Sequence, residues 1–135
     1  MKIIGFVRSK ISAERKEKIE GSLSIDQKID IKDLVKEKNP FSDEIDAIRI
    51  KYTFSVIYSK KVAKIEFEGS VLVLPEKHEM DAFMKDWDSK KIPESLRVSI
   101  FNFILSKCSL KALALEEELS LPLHMQMPKL TSQKD

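Results

Sequence analysis

The chain has 135 residues, 42% hydrophobic and 34% charged, which is enough for one hydrophobic core and too short for two domains of ordinary size. Its 24 lysine and arginine residues nearly balance its 22 aspartate and glutamate residues, and this balance provides no general attraction to nucleic acid or anionic membranes. A single cysteine excludes an intrachain disulfide and, with only two histidines, argues against a structural zinc site.

The first half of the chain carries patterns that predict four antiparallel strands. An apolar run at residues 3–7 predicts the first strand, and apolar side chains at alternate positions within residues 23–31 predict the second. Residues 48–56 and 65–73 alternate in the same way and are joined by a short polar turn, so they predict a long hairpin. Because two strands alone are marginally stable in water, the four strands are expected to form one sheet whose apolar face is covered.

After Pro75 the apolar period changes from that of a strand to that of a helix. A short amphipathic helix is predicted from the stripe Met80, Phe83, Met84 and Trp87. Pro93 is a favourable first-turn residue for a second helix, and Ser109 is a favourable cap for a third. Residues 116–118, three consecutive glutamates, are expected on or near the outer side of this third helix.

Together these elements predict a single α+β domain over residues 1–130, followed by a disordered tail at 131–135. Its four-stranded antiparallel sheet, at about residues 2–74, is followed by two or three helices packed on one face. No stretch approaches the roughly 20 apolar residues that span a bilayer, so we expect a cytoplasmic protein that does not insert into membranes.

The predicted second helix is apolar around most of its circumference. One stripe contains Leu96, Ile100, Phe103 and Ile104, and a second stripe, rotated from the first, contains Val98, Phe101, Leu105 and Cys108. One face of a sheet cannot cover both stripes. The second stripe therefore predicts a further partner, which is either the segment that follows or another subunit.

The sequence lacks the residue patterns of an enzyme. Cys108 lies on an apolar stripe, which indicates an inert buried thiol rather than a nucleophile. His78 and His124 do not have the spacing of metal ligands, and three glycines are too few for the usual phosphate-binding loops. We therefore expect no catalytic residue, no metal and no cofactor.

Two short motifs and the order of the elements carry a family resemblance. The motifs are Ser9-Lys10-Ile11-Ser12-Ala13-Glu14 near the start and Leu119-Ser120-Leu121-Pro122-Leu123 after the last predicted helix. With four antiparallel strands followed by a mostly apolar helix, this layout resembles the SecB-like export chaperones. The resemblance implies a homo-oligomer, a dimer or a dimer of dimers, that binds unfolded or nonnative polypeptides in an apolar groove without ATP and acts in protein export.

Methionine and aromatic residues are the candidates for a client-binding surface, since methionine adapts its shape to different partners; ordinary core packing is the alternative. We expect clients to contact Phe83, Met84, Trp87, Leu121, Leu123, Met125 and Met127. We expect self-association through Val98, Phe101 and Leu105.

A basic cluster near the N-terminus supports a competing hypothesis. It contains Lys10, Arg15, Lys16 and Lys18, interrupted by Glu14 and Glu17. Such a patch could serve a ribosome- or RNA-associated accessory protein. RNA recognition favours aromatic side chains among the cations, and the only aromatic residue nearby is Phe6, so nucleic acid is the less favoured partner.

Overall fold

The computed structural model describes residues 1–42, 45–88 and 91–128, and the predicted tail at 131–135 lies outside these ranges. It contains strands β1 (Lys2–Arg15), β2 (Ile25–Lys38), β3 (Asp46–Tyr58) and β4 (Ala63–Leu74), then helices α1 (Lys77–Trp87) and α2 (Glu94–Glu118). The strands form one antiparallel sheet in the order β1-β4-β3-β2. This arrangement confirms the predicted α+β fold.

The central strand β3 shows the expected alternation most clearly. Six alternate residues from Ile48 to Tyr58 are at most 1% exposed, and they form the face of the sheet that lies under the helices. The opposite face is polar. There the Arg49 guanidinium binds both carboxylate oxygens of Glu37, at 2.7 and 3.0 Å, and donates to the Ser70 hydroxyl at 2.9 Å.

The edge strands β1 and β2 are longer than their apolar runs predict. The register of β1 against β4 shifts between Ile3 and Gly5 and again between Arg8 and Lys10, and β2 shifts between Ile31 and Asp33. Each shift marks a β-bulge, and a bulge reverses the side-chain alternation beyond it. The polar residues that follow each apolar run therefore continue the strand instead of ending it.

The predicted third helix is not a separate element. Residues 94–118 form one continuous helix, and Ser109 is a buried residue inside it rather than a cap. Glu116, expected on the outer side, is fully buried. Both predictions were wrong because the buried residues of α2 do not stay on one face of the helix.

The buried residues of α2 follow a row that winds around the helix. The row contains Leu96, Ile100, Ile104, Cys108, Ala112 and Glu116, each four residues after the last. Four residues turn an α-helix by about 40° more than a full turn, so five such steps rotate the row by about 200°. The buried side of α2 therefore changes along its length, while apolar residues on its other sides, such as Val98 and Leu110, stay exposed.

Helix α2 is also long and apolar enough to cross a membrane, judged by length and composition alone. This finding corrects the expectation that no stretch of the chain meets that criterion. A mostly buried core helix of a globular domain passes the same test, whereas 28% of the 18-residue stretch of α2 that meets the criterion is buried in this fold.

The end of α2 is closed by backbone hydrogen bonds. The Leu121 N–H donates to the Glu116 carbonyl at 2.8 Å, and the Ser120 N–H donates to the Glu117 carbonyl at 3.1 Å. Ser120 has a φ of 53°, in the left-handed region. This is the Schellman arrangement, in which the left-handed position is usually glycine because a Cβ is disfavoured there.

We expect the substitution Ser120→Gly to raise the free energy of unfolding by about 0.5–1 kcal/mol, since it removes the strain of a left-handed side-chain-bearing residue. Urea denaturation followed by circular dichroism measures the change. Ser120→Ala keeps the Cβ and serves as the control, and it should not stabilise the protein. A glycine variant no more stable than the alanine variant would contradict this account of the cap.

Candidate functional site

A groove lies between the open edge of β2 and the start of α2. It encloses about 320 Å³ and is lined by Ile29, Asp30, Ile31, Trp87, Lys91, Ile92, Arg97 and Phe101. We call it the β2 groove. Because β2 is the last strand of the sheet, one side of its backbone pairs with β3, and no strand from the described residues lies on its other side.

The connection between α1 and α2 fixes one wall of the groove. Helix α1 is anchored by the fully buried Phe83 and ends at Trp87. The Lys91 N–H then donates to the Asp86 carbonyl at 3.1 Å, and the Arg97 guanidinium donates to the carbonyl of the buried Ile92 at 2.9 Å. These contacts hold Trp87 and Phe101 along the same groove.

The charges at the groove are unevenly paired. The carboxylate of Asp30 lies 3.5 Å from the Lys28 ammonium and 3.9 Å from the Lys32 ammonium. Lys91 and Arg97, in contrast, have no carboxylate within ion-pair distance in the described parts of the chain. The groove is therefore lined by five apolar and three charged side chains, and its two cations lack an acidic partner in the described parts of the chain.

A second feature lies beyond the other end of α2, where residues 119–128 fold back over the sheet. We call these residues the C-terminal strap. The fully buried Glu116 carboxylate accepts the His124 backbone N–H at 2.7 Å, and its Oε2 lies 2.7 Å from Nδ1 of the buried His124 ring. The Tyr58 hydroxyl donates to the Pro122 carbonyl. Burial, with a smaller contribution from Glu116, raises the pKa of Tyr58 far above its ordinary value.

The structure distributes the predicted client-binding residues over three places. Trp87 lines the β2 groove, whereas Phe83 lies in the core and Met84 packs half-buried against it. In the strap, Leu121 is buried, and three exposed side chains follow: Leu123, Met125 and Met127. From Phe101 to the end of α2 the helix is about 25 Å long, so the groove and the strap form separate surfaces.

The predicted self-association residues lie on the N-terminal half of α2. Val98 is 64% exposed, while Phe101 and Leu105 are partly buried. Phe101 also lines the β2 groove. The groove residues from β2 and from the α1–α2 connection were missed, because they are far apart in sequence and share no spacing that predicts their contact.

The basic cluster is partly used by the fold. The Lys10 ammonium lies 3.6 Å from Glu66 and 3.8 Å from Glu68. A hydrogen bond from Lys64, helped by Lys10, holds the pKa of the Glu66 carboxyl below its usual range. Four backbone carbonyls, two of them in the strap, accept hydrogen bonds from the Arg15 guanidinium. These two cations therefore already have protein partners.

Cys108 is a fully buried residue of α2, and burial raises the pKa of its thiol. A raised pKa lowers the fraction of reactive thiolate. This environment is that of a packing residue.

The sheet order, the two helices and the groove beside an edge strand define a SecB-like α+β fold. Among solved structures, the chain is similar to that of the Mycobacterium tuberculosis Rv1957 SecB-like chaperone in complex with a ChAD peptide from the Rv1956 HigA1 antitoxin, with a TM-score of 0.50 and 15% sequence identity. The match covers 98% of this chain and 92% of that chain. No family model and no curated protein matches the sequence. At this identity the similarity shows the fold alone.

Proposed function

We propose that this protein is an ATP-independent holdase-type chaperone that binds segments of unfolded or nonnative polypeptide along the β2 groove. The observation that carries the proposal is the open backbone edge of β2 beside a groove that exposes both apolar and charged side chains. An extended peptide can pair its backbone with such an edge while alternate side chains enter the groove. Backbone pairing depends little on sequence, which suits a protein that accepts many clients.

The similar solved structure supports the same function, since it is described as a chaperone in complex with a peptide. We propose that the present protein likewise takes polypeptide clients, acts in the cytoplasm and serves protein export. The RNA-binding alternative is less supported, because Lys10 and Arg15 of the basic cluster are already bound within the fold.

We further propose that the protein forms dimers or tetramers through Val98, Phe101 and Leu105. The exposed Val98 and its two partly buried neighbours form an apolar strip on the outer side of α2. Covering such a strip removes apolar surface from water and stabilises an assembly. Because Phe101 belongs to both surfaces, assembly and client binding are expected to meet at this residue.

Light scattering tests both proposals in one preparation. We expect the purified protein to have the mass of a dimer or tetramer and to suppress aggregation of a reduced, unfolded client. Phe101→Ser should weaken client protection about tenfold, since aromatic anchors in a groove carry much of the binding energy. Val98→Ser is the matched control on the same helix, and it should lower the mass while leaving the groove intact.

Each outcome bears on one proposal. A client that aggregates at the same rate with and without the protein would contradict chaperone function. A monomeric mass at concentrations where clients are protected would contradict self-association and leave client binding standing.

A further inference from the structure

We propose that the β2 groove selects apolar client segments that carry an aspartate or glutamate beside the inserted side chain. The inference rests on the proposed peptide binding and specifies its client class. This selectivity follows from the charged residues of the groove wall. The apolar residues alone would not produce it.

The groove wall carries two cations available to a client. Arg97 has five N–H donors, and one of its nitrogens is used by the Ile92 carbonyl at 2.9 Å. That contact fixes the side chain while leaving other donors of the guanidinium for a carboxylate. The Lys91 ammonium has no hydrogen bond or ion pair within the described residues.

The acidic residue of the groove does not cancel these charges. Asp30 lies between Lys28 and Lys32 on β2 and is within 4 Å of both ammonium groups. A client carboxylate would therefore meet Lys91 and Arg97 with little opposition from Asp30. A client lysine or arginine at the same place would be repelled by two like charges.

The occupant that fits is an extended strand of another polypeptide. Side chains on one face of a strand recur every two residues, about 7 Å apart. A strand paired with the edge of β2 can insert one apolar side chain between Trp87 and Phe101 and present a carboxylate from a neighbouring position to Arg97. The groove would thus recognise one apolar side chain together with one negatively charged side chain of the client.

Trp87 provides the measurement, because it is the only tryptophan of the chain and lines the groove. Three tryptophan-free peptides share one apolar centre and differ only in flanking residues, which are Asp, Asn or Lys. In titrations followed by Trp87 fluorescence, we expect the Asp peptide to bind about 3- to 10-fold more tightly than the Asn peptide and the Lys peptide to bind most weakly. The differences should shrink as salt is added.

Variants identify the residues responsible. Lys91→Gln should remove part of the Asp preference, and adding Arg97→Gln should remove the rest, while Arg97→Glu should reverse the order of the Asp and Lys peptides. Lys77→Gln, at the exposed start of α1 and away from the groove, is the matched control and should leave the order unchanged. If loss of the Arg97 hydrogen bond unfolds the connection between α1 and α2, the single variant Lys91→Gln still tests the proposal.

The outcomes separate the two levels of the proposal. Equal affinity for the three peptides would overturn the charge selectivity while supporting peptide binding. Failure of all three peptides to bind would overturn the proposed function itself. A preference for the Asp peptide that persists unchanged in the double variant would overturn the assignment to Lys91 and Arg97.

Discussion

Gly69→Ala is expected to lower the free energy of unfolding by about 2–4 kcal/mol, a large loss for a single methyl group. A Cβ on Gly69 would lie 2.0 Å from the Val7 carbonyl oxygen and 2.7 Å from the Tyr52 hydroxyl oxygen. The first contact is with backbone, so a rotamer change cannot relieve it. Thermal and urea denaturation measure the loss.

The need for glycine arises from how Tyr52 crosses the sheet. Tyr52 on β3 is paired with Gly69 on β4, and its ring reaches over Gly69 to β1. There it stacks on Phe6, with ring centres 5.7 Å apart, and its hydroxyl donates to the Val7 carbonyl at 3.3 Å. A side chain at position 69 would separate three strands at once.

Gly5→Ala is the matched control for this prediction. Its added Cβ would lie 3.3 Å from Cβ of Leu72, a tight contact that a shift of a few tenths of an ångström relieves, so we expect a smaller loss of stability than at Gly69. The variant Gly69→Ala with Tyr52→Phe should recover only part of the loss, since the clash with Val7 remains. A Gly69→Ala variant as stable as Gly5→Ala would contradict this packing.

The sheet could be predicted from the sequence because burial on one face imposes a period of two, which β3 follows from Ile48 to Val56 and β4 follows in its first half. The ends of β1 and β2 could not be predicted from the sequence, because the bulges near Ser9 and Lys32 shift the alternation of side chains within each strand. No residue type marks such a bulge reliably when glycine is not used. The residues after each bulge therefore looked like polar connections.

Helix α2 shows a different limit of sequence reasoning. Its apolar circumference predicts a second partner, and the buried row that winds from Leu96 to Glu116 covers only part of that circumference within one chain. The apolar surface that stays exposed includes the strip containing Val98 on the N-terminal half and Leu110 on the C-terminal half. The sequence pattern could not show which apolar residues of α2 are buried within the chain and which stay exposed. The direction in which a helix crosses a twisted sheet depends on residues distant in the chain.

The β2 groove could be predicted only in part. Trp87 and Phe101 are conspicuous as aromatic residues of two amphipathic helices. Their position beside Ile31, however, depends on how α2 is placed relative to α1. The charges that we assign to client selection, Lys91 and Arg97, are ordinary surface cations in the sequence. Their role follows from their position beside an open strand edge.

Glu116→Ala is expected to lower the free energy of unfolding by about 3–5 kcal/mol, because it leaves a buried imidazole and a buried backbone N–H without their acceptor. The Glu116 carboxylate binds His124 through both groups, at 2.7 Å each, and both side chains are almost completely buried. We also expect the C-terminal strap to lose protection from hydrogen exchange, since His124 is a principal contact that fixes it.

A double variant distinguishes the buried pair from simple loss of packing. Replacing both partners, as in Glu116→Leu with His124→Leu, removes the two polar groups together and should recover much of the stability, because replacing both members of a buried hydrogen-bonded pair by apolar groups of similar shape can be nearly neutral. Glu117→Ala alters the adjacent exposed glutamate and should change stability by no more than about 0.5 kcal/mol. If Glu116→Ala were as mild as Glu117→Ala, the strap would have to be held by its other contacts, chiefly Tyr58 to Pro122 and Arg15 to the end of α2.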